Sequence, residues 1–142
     1  MSILIGLTGS IGSGKSLAAS YFKEVGAYII HADHISRQLV QPGQAAWKEI
    51  SEEFGIEYFN RDQSLNRGKI ATEVFQNDEK RSILENIIHP RVLAEEQKLY
   101  NSYQLSNPKA VVIIDSPLLI ESKNHKNVDK VLFQQIGKDK LF

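Results

Sequence analysis

Apolar positions in this chain fall into two rhythms, short unbroken runs and helically spaced stripes. Ile3-Leu4-Ile5-Gly6-Leu7 is an unbroken run and predicts a buried strand. A helix-capable segment follows from about Lys15 to Val25, and Gly26 is placed to end it as a C-cap. Ala27-Tyr28-Ile29-Ile30 predicts a second buried strand, with His31-Ala32-Asp33 at its C-terminal end. Asp33 has the chemistry of an N-cap for a short helix through Val40. Gln41-Pro42-Gly43 then reads as a turn.

The middle of the chain is helical in pattern. Ala45 to Phe54 sets Trp47, Ile50 and Phe54 on one face, and Gly55 to Asn66 is polar and irregular. A helix is predicted over Lys69 to Phe75, and Asn77-Asp78 can cap a longer one with Ile83, Leu84, Ile87 and Ile88 as its stripe. His89-Pro90 predicts an interruption, because the residue before a proline avoids the helical region. Pro90 would then open a new helix to about Tyr103. After the loop Ser106-Asn107-Pro108, Ala110-Val111-Val112-Ile113-Ile114 is the most strand-like segment, closed by Asp115. Val131-Leu132-Phe133 predicts a fourth strand. Strands alternating with helices predict an α/β fold, a parallel sheet of about four strands between helical layers. The stretch 41–103 reads as a helical subdomain inserted into a single domain spanning 1–142.

The loop between the first strand and its helix carries the chemistry. Gly9-Ser10-Ile11-Gly12-Ser13-Gly14-Lys15-Ser16 fills every fixed position of G-x-x-x-x-G-K-S, on the strand–loop–helix context that a phosphate-binding P-loop requires. Its glycines let backbone approach oxygen atoms that a Cβ would block. Successive N–H groups, ending at a helix N-terminus that includes Leu17, make a cradle for anions. Lys15 adds a mobile charge for the β- and γ-phosphates, and Ser16 a hydroxyl for Mg²⁺. ATP with Mg²⁺ is therefore the expected ligand.

Length and composition narrow the field further. A chain of 142 residues is about one domain. Lys and Arg number 17, Asp and Glu 17, so no general attraction to nucleic acid or membrane is implied. There is no cysteine, which excludes disulfides, thiolate catalysis and cysteine-ligated zinc. No apolar stretch approaches the ~20 residues that span a bilayer. The N-terminus runs straight into the first strand, which leaves no room for a signal peptide, and a cytoplasmic location is expected.

Other candidate groups cluster at predicted strand ends. Asp33 stands just past the second strand, at the edge where open α/β sheets bind ligands. A kinase acting on a hydroxyl needs a carboxylate there to orient it and accept its proton, a role compatible with capping. Asp115 ends the third strand, where it reads either as a Mg²⁺ ligand or as a solvated strand end. Arg37, Arg67, Lys69 and Arg91 are candidate anchors for a phosphate-rich substrate, or plain helix charges. His89 is a candidate substrate contact or a structural hydrogen-bonding group, and His31, His34 and His125 lack the spacing of a zinc site.

Taken in order, these segments resemble the dephospho-coenzyme A kinase family. Leu7-Thr8-Gly9-Ser10-Ile11-Gly12-Ser13-Gly14-Lys15-Ser16 is similar to its L-T-G-x-I-G-S-G-K-S, and Ala32-Asp33-His34-Ile35-Ser36-Arg37 to its A-D-x-I-A-R. Leu65-Asn66-Arg67, Ile88-His89-Pro90 and Pro117-Leu118-Leu119-Ile120-Glu121 resemble its L-x-R, L-H-P and P-L-L-F-E segments. The resemblance covers about Ile3 to Leu132. It implies a five-stranded parallel sheet with a helical substrate domain and a lid. It also implies transfer of the ATP γ-phosphoryl group to the ribose 3′-hydroxyl of dephospho-coenzyme A. It gives Asp33 the catalytic base role beside Lys15, and the stretch 41–103, with Arg37, Arg67 and His89, the reception of the substrate. His31 stands where the family has the first aspartate of D-A-D. The family's lid arginine, fifth strand and closing helix follow its fourth strand, whereas this sequence ends at Phe142, so a shortened copy with weak activity, marginal stability and an exposed sheet edge at Val131-Leu132-Phe133 is expected. Another small-molecule kinase and a non-catalytic nucleotide-binding remnant are the alternatives. A GTPase is disfavoured by the lack of an N-K-x-D motif.

Overall fold

Four of the apolar runs form one parallel sheet in the computed structural model, which describes residues 1–9, 15–117, 119 and 123–134, with the backbone alone of Ser16 and Gln134. The strands are β1 (Ile3–Gly9), β2 (Tyr28–His31), β3 (Val111–Asp115) and β4 (Lys130–Gln134), in the order β2-β3-β1-β4. The helices are α1 (Lys15–Glu24), α2 (Ala32–Leu39), α3 (Ala45–Phe54), α4 (Arg67–Gln76) and α5 (Asp78–Ser106). Two compact units result: a sheet unit of Met1–Asp33 with Glu95–Phe142, and a helical unit of His34–Ala94, set against the stretch 41–103 drawn from the sequence.

In the sheet unit β3 and β1 are central. Val112 and Ile113 are fully buried on β3, and burying such side chains stabilises by about 1.5–3 kcal/mol each. Side-chain alternation divides the sheet faces. Leu7, Ile113, Ile5 and Ile29 pack with Ala18, Ala19 and Phe22 of α1. Tyr28, next to Ile29 and so on the opposite face, stacks on Tyr103 of α5 with ring centroids 4.4 Å apart. Helix, sheet and helix make the three layers. Gly26 has φ 104° and its N–H reaches the Lys23 carbonyl, so it ends α1 in the left-handed geometry expected of a glycine cap. Gly6 serves a different need: a Cβ there would stand 2.5 Å from the Leu119 side chain, which is fully buried against β1.

The helical unit closes around Ala46, Ile50, Phe54, Tyr58, Ile70 and Ile87, with Ile83, Leu84 and Ile88 packed beside them. The predicted apolar stripe of α5 is thus the packed one. On α3 the buried positions are Ala46, Ile50 and Phe54. Trp47 lies to the side, its indole N–H donating to the Gln63 carbonyl at 2.7 Å. Asn66 caps α4 by accepting from the Lys69 N–H at 3.1 Å.

Two local expectations are corrected. Asp33 does not cap α2; the helix begins at Ala32 and Asp33 lies in its first turn. A carboxylate there still suits the positive end of the helix dipole. Pro90 does not interrupt the chain, because α5 runs unbroken for 29 residues. A proline costs a helix its own N–H and disturbs the carbonyls one turn back. The carbonyl that loses its N–H partner is that of Asn86, and one position on, the Arg91 guanidinium donates to the Ile87 carbonyl at 2.7 Å. Ile87 and Ile88, in the turn before the proline, pack into the core and hold the helix there.

Candidate active site

Because all four strands are parallel, their C-terminal ends share one edge of the sheet. Gly9 ends β1, Asp115 ends β3 and His31 ends β2, and the register sets His31 directly opposite Asp115 and Asp115 opposite Leu7. Gly9 closes β1 and Lys15 opens α1. Ser10, Ile11, Gly12, Ser13 and Gly14 lie outside the described residues, as does the Ser16 side chain. Leu17, in the first turn of α1, is exposed.

Asp115 is the centre of the charged cluster. It is 8% exposed, so the solvated strand end considered from the sequence is not what forms. Its Oδ1 pairs with the Lys15 ammonium, and its Oδ2 lies 3.1 Å from His31 Nδ1. Each oxygen of one buried carboxylate thus meets a different basic side chain. The loop after β3 is anchored close by: the Ser116 N–H donates to the Leu7 carbonyl at 3.0 Å, and the Thr8 hydroxyl to the Pro117 carbonyl at 3.3 Å. Leu118, Ile120 and Glu121 lie outside the described residues.

Asp33 is exposed two residues beyond the end of β2, on the same edge of the sheet, and no other described side chain engages it. Arg37, Arg67 and His89 belong to the helical unit. Arg37 and Arg67 are exposed and form no ion pair among the described residues. Arg91, by contrast, is committed: its two terminal nitrogens meet the two Glu49 oxygens at 3.1 and 3.0 Å. That fork holds the Glu49 carboxyl below its usual range and raises the Arg91 guanidinium. Lys69 donates to the Glu57 carbonyl at 2.7 Å and sits over the Tyr58 ring.

Sequence reasoning missed two groups in the sheet unit. His31 lacks the spacing of a zinc ligand and stands where the family has an aspartate, and its place opposite Asp115 follows from a strand order that the sequence does not display. Glu96, on α5, is 3% exposed; its Oε1 accepts from Asn124 Nδ2 at 2.9 Å, and its Oε2 has no partner among the described residues. Burial raises its pKa, against the smaller lowering by the Asn124 bond. Glu96 continues the helical spacing of Ile88, Val92, Leu99 and Tyr103, and a carboxylate on that apolar row is the signal that could have found it.

A P-loop motif between β1 and α1, with a lysine meeting a buried strand-end aspartate, defines an α/β protein of the P-loop kinase type. The family model for dephospho-CoA kinase, CoaE, matches residues 3–141. The chain belongs to the dephospho-CoA kinase family. It is 43% identical over 132 residues to the dephospho-CoA kinase of Bacillus anthracis, covering 93% of this chain and 66% of that one. With the Corynebacterium jeikeium dephospho-CoA kinase it is 43% identical over 131 residues, 92% of this chain and 66% of the relative. Among solved structures, the dephospho-CoA kinase from Campylobacter jejuni superposes with a TM-score of 0.74 at 27% identity, covering 94% of this chain and 66% of that one. TT1252 from Thermus thermophilus superposes with a TM-score of 0.76 at 26% identity, over 94% of this chain and 65% of that one. The chain thus spans just under two thirds of the length of these relatives. No described helix is long and apolar enough to cross a membrane.

Proposed function

We propose that this chain carries the catalytic core of an ATP-dependent kinase that phosphorylates the ribose 3′-hydroxyl of dephospho-coenzyme A. The observation that carries the reading is the Lys15–Asp115 pair at the C-terminal edge of a parallel sheet, at the foot of a complete P-loop motif. Family membership supplies the substrate.

In this reading the backbone from Gly9 to Leu17 cradles the phosphates, and Lys15 leaves Asp115 to follow the β- and γ-phosphates. Asp33 orients the acceptor hydroxyl and takes its proton. The hydroxyl oxygen bonds to the γ-phosphorus as the bond from that phosphorus to the β–γ bridging oxygen breaks, and ADP leaves. Arg37, Arg67 and His89 contact the substrate from the helical unit, and the two units act as one kinase domain. Asp115 offers the hard carboxylate oxygen that Mg²⁺ takes alongside substrate phosphates, and it fits that role once Lys15 moves off Oδ1. Asp115 and the Ser16 hydroxyl would hold the ion, which would neutralise phosphate charge. The absence of cysteine suits a reducing cytoplasm.

The test supplies ATP, Mg²⁺ and dephospho-coenzyme A and follows ADP and 3′-phosphorylated product. The expected result is product formation, with nucleotide binding weakened by about 1.5–3 kcal/mol in Lys15→Ala. Nucleotide binding without product would instead favour a non-catalytic role and sink the kinase reading.

A further inference from the structure

We infer that His31 is a positioning residue: it shares the Asp115 carboxylate with Lys15, and so sets how readily the lysine is released to an incoming polyphosphate. The inference deepens the reading above and rests on the P-loop assignment of Lys15.

The argument starts from one carboxylate with two claimants. Asp115 is buried at the end of a central strand, so its charge is little screened by water. Lys15 takes Oδ1. His31 Nδ1 faces Oδ2 at 3.1 Å, and since a carboxylate oxygen can only accept, Nδ1 is the donor. The β2–β3 register fixes this meeting in the backbone, because His31 and Asp115 are direct neighbours across the ladder. His31 therefore holds Asp115 by the oxygen that Lys15 does not use.

A lysine locked to a buried aspartate is not available to a phosphate. Two effects of His31 loosen that lock. Its donated hydrogen bond draws on the carboxylate charge, which weakens the pull on Lys15. It also pins the carboxylate plane, so that Oδ2 cannot turn to take a second ammonium proton. When phosphate oxygens compete for Lys15, the lysine departs and Asp115 stays in place, with Oδ1 exposed to whatever binds next. Without His31, Asp115 would turn toward Lys15 and hold it harder.

The experiment has two arms on the intact chain. In the first, lysine-¹⁵N NMR measures the solvent exchange of the Lys15 ammonium protons with no nucleotide present. His31→Phe, which suits a strand but cannot donate, should slow that exchange by roughly tenfold, on the scale of one charge-assisted hydrogen bond. His31→Asn, which presents an amide N–H near the position of the imidazole Nδ1–H, should restore the parental rate, and Asp115→Asn should speed it. In the second arm, calorimetry with inorganic tripolyphosphate, free of metal, should show affinity falling about tenfold in His31→Phe and recovering in His31→Asn. A parental exchange rate in a His31→Phe protein whose circular dichroism is unchanged would overturn the inference, as would failure of His31→Asn to rescue. Loss of tripolyphosphate and ATP binding in the parent, with exchange responding as stated, would overturn the kinase reading while the shared-carboxylate geometry stood.

Discussion

The two units of this chain solve the problem of burial in opposite ways. Among the described residues, the buried polar side chains Thr8, Glu96, Asp115, Ser116 and Asn124 all lie in the sheet unit. The helical unit buries Ala46, Ile50, Phe54, Tyr58, Ile70 and Ile87, and the pKa of Tyr58 is raised by desolvation and by Glu73. Its charges meet at the surface, as in Arg91–Glu49 and Lys80–Glu73. Apolar burial is non-directional and tolerates drift, whereas a buried carboxylate has to be matched atom by atom. The difference teaches where chemistry is concentrated: the sheet unit accepts the cost of desolvated polar groups, and the helical unit supplies packing without it.

The largest test of that contrast falls on Asp33. It is exposed and unpacked, so Asp33→Asn should leave thermal stability within about 0.5 kcal/mol of the parent. Turnover should fall by roughly 10²–10⁴-fold if it is the base. Measuring kcat and the melting curve together separates the two, and near-parental turnover would remove Asp33 from the chemistry. The next effect lies in the helical unit. Ile50 is fully buried, and Ile50→Ala should cost about 2–5 kcal/mol of stability in denaturant titration. Its nucleotide affinity, measured below the transition, should match the parent; a parallel loss would show that nucleotide binding depends on the packing of the helical unit.

The smallest effect concerns Glu96. Its folded pKa is raised, so the folded protein holds this proton more tightly than the unfolded chain does. The stability it contributes is present below the ordinary value of 4.5 and is lost as pH rises through the folded value. Glu96→Gln keeps an oxygen for Asn124 and cannot ionise. Its melting temperature should therefore gain on the parent as pH climbs from 4.5 toward neutrality, by less than the Ile50→Ala effect. A constant difference between the two proteins across that range would show that Glu96 carries no such linkage.

Elements with one dominant period were legible in the sequence. The four strands and the α5 stripe follow directly from runs and spacings that burial then uses. Pro90 misled because the rule for the preceding residue is local, whereas the packing of Ile87 and Ile88 into the core is a property of the folded unit. Asp115 could be placed at a strand end but not assigned an environment. Its burial depends on β2 and β1 flanking β3, and sequence order does not reveal strand order. The pairing of Arg91 with Glu49, 42 positions apart, was invisible because it depends on how α3 and α5 pack against each other. The reach of Arg37, Arg67 and His89 toward a substrate remains a proposal, as does the phosphate cradle itself, whose central residues lie outside the described chain.

Gly6 carries an evolutionary consequence. Leu119 rests on the bare backbone of β1 where a Cβ would stand 2.5 Å from its Cδ2, and the side chain is fully enclosed, with Val128 also near. Leu119 therefore has no solvent to swing into if position 6 gains a methyl group. The two sites are bound as a size-complementary pair, so that alanine at 6 becomes acceptable only on a background already trimmed at 119. Drift at either position is contingent on the other. The route between such sequences passes through a clashing or a hollow intermediate, so this corner of the sheet should change in coupled steps or not at all.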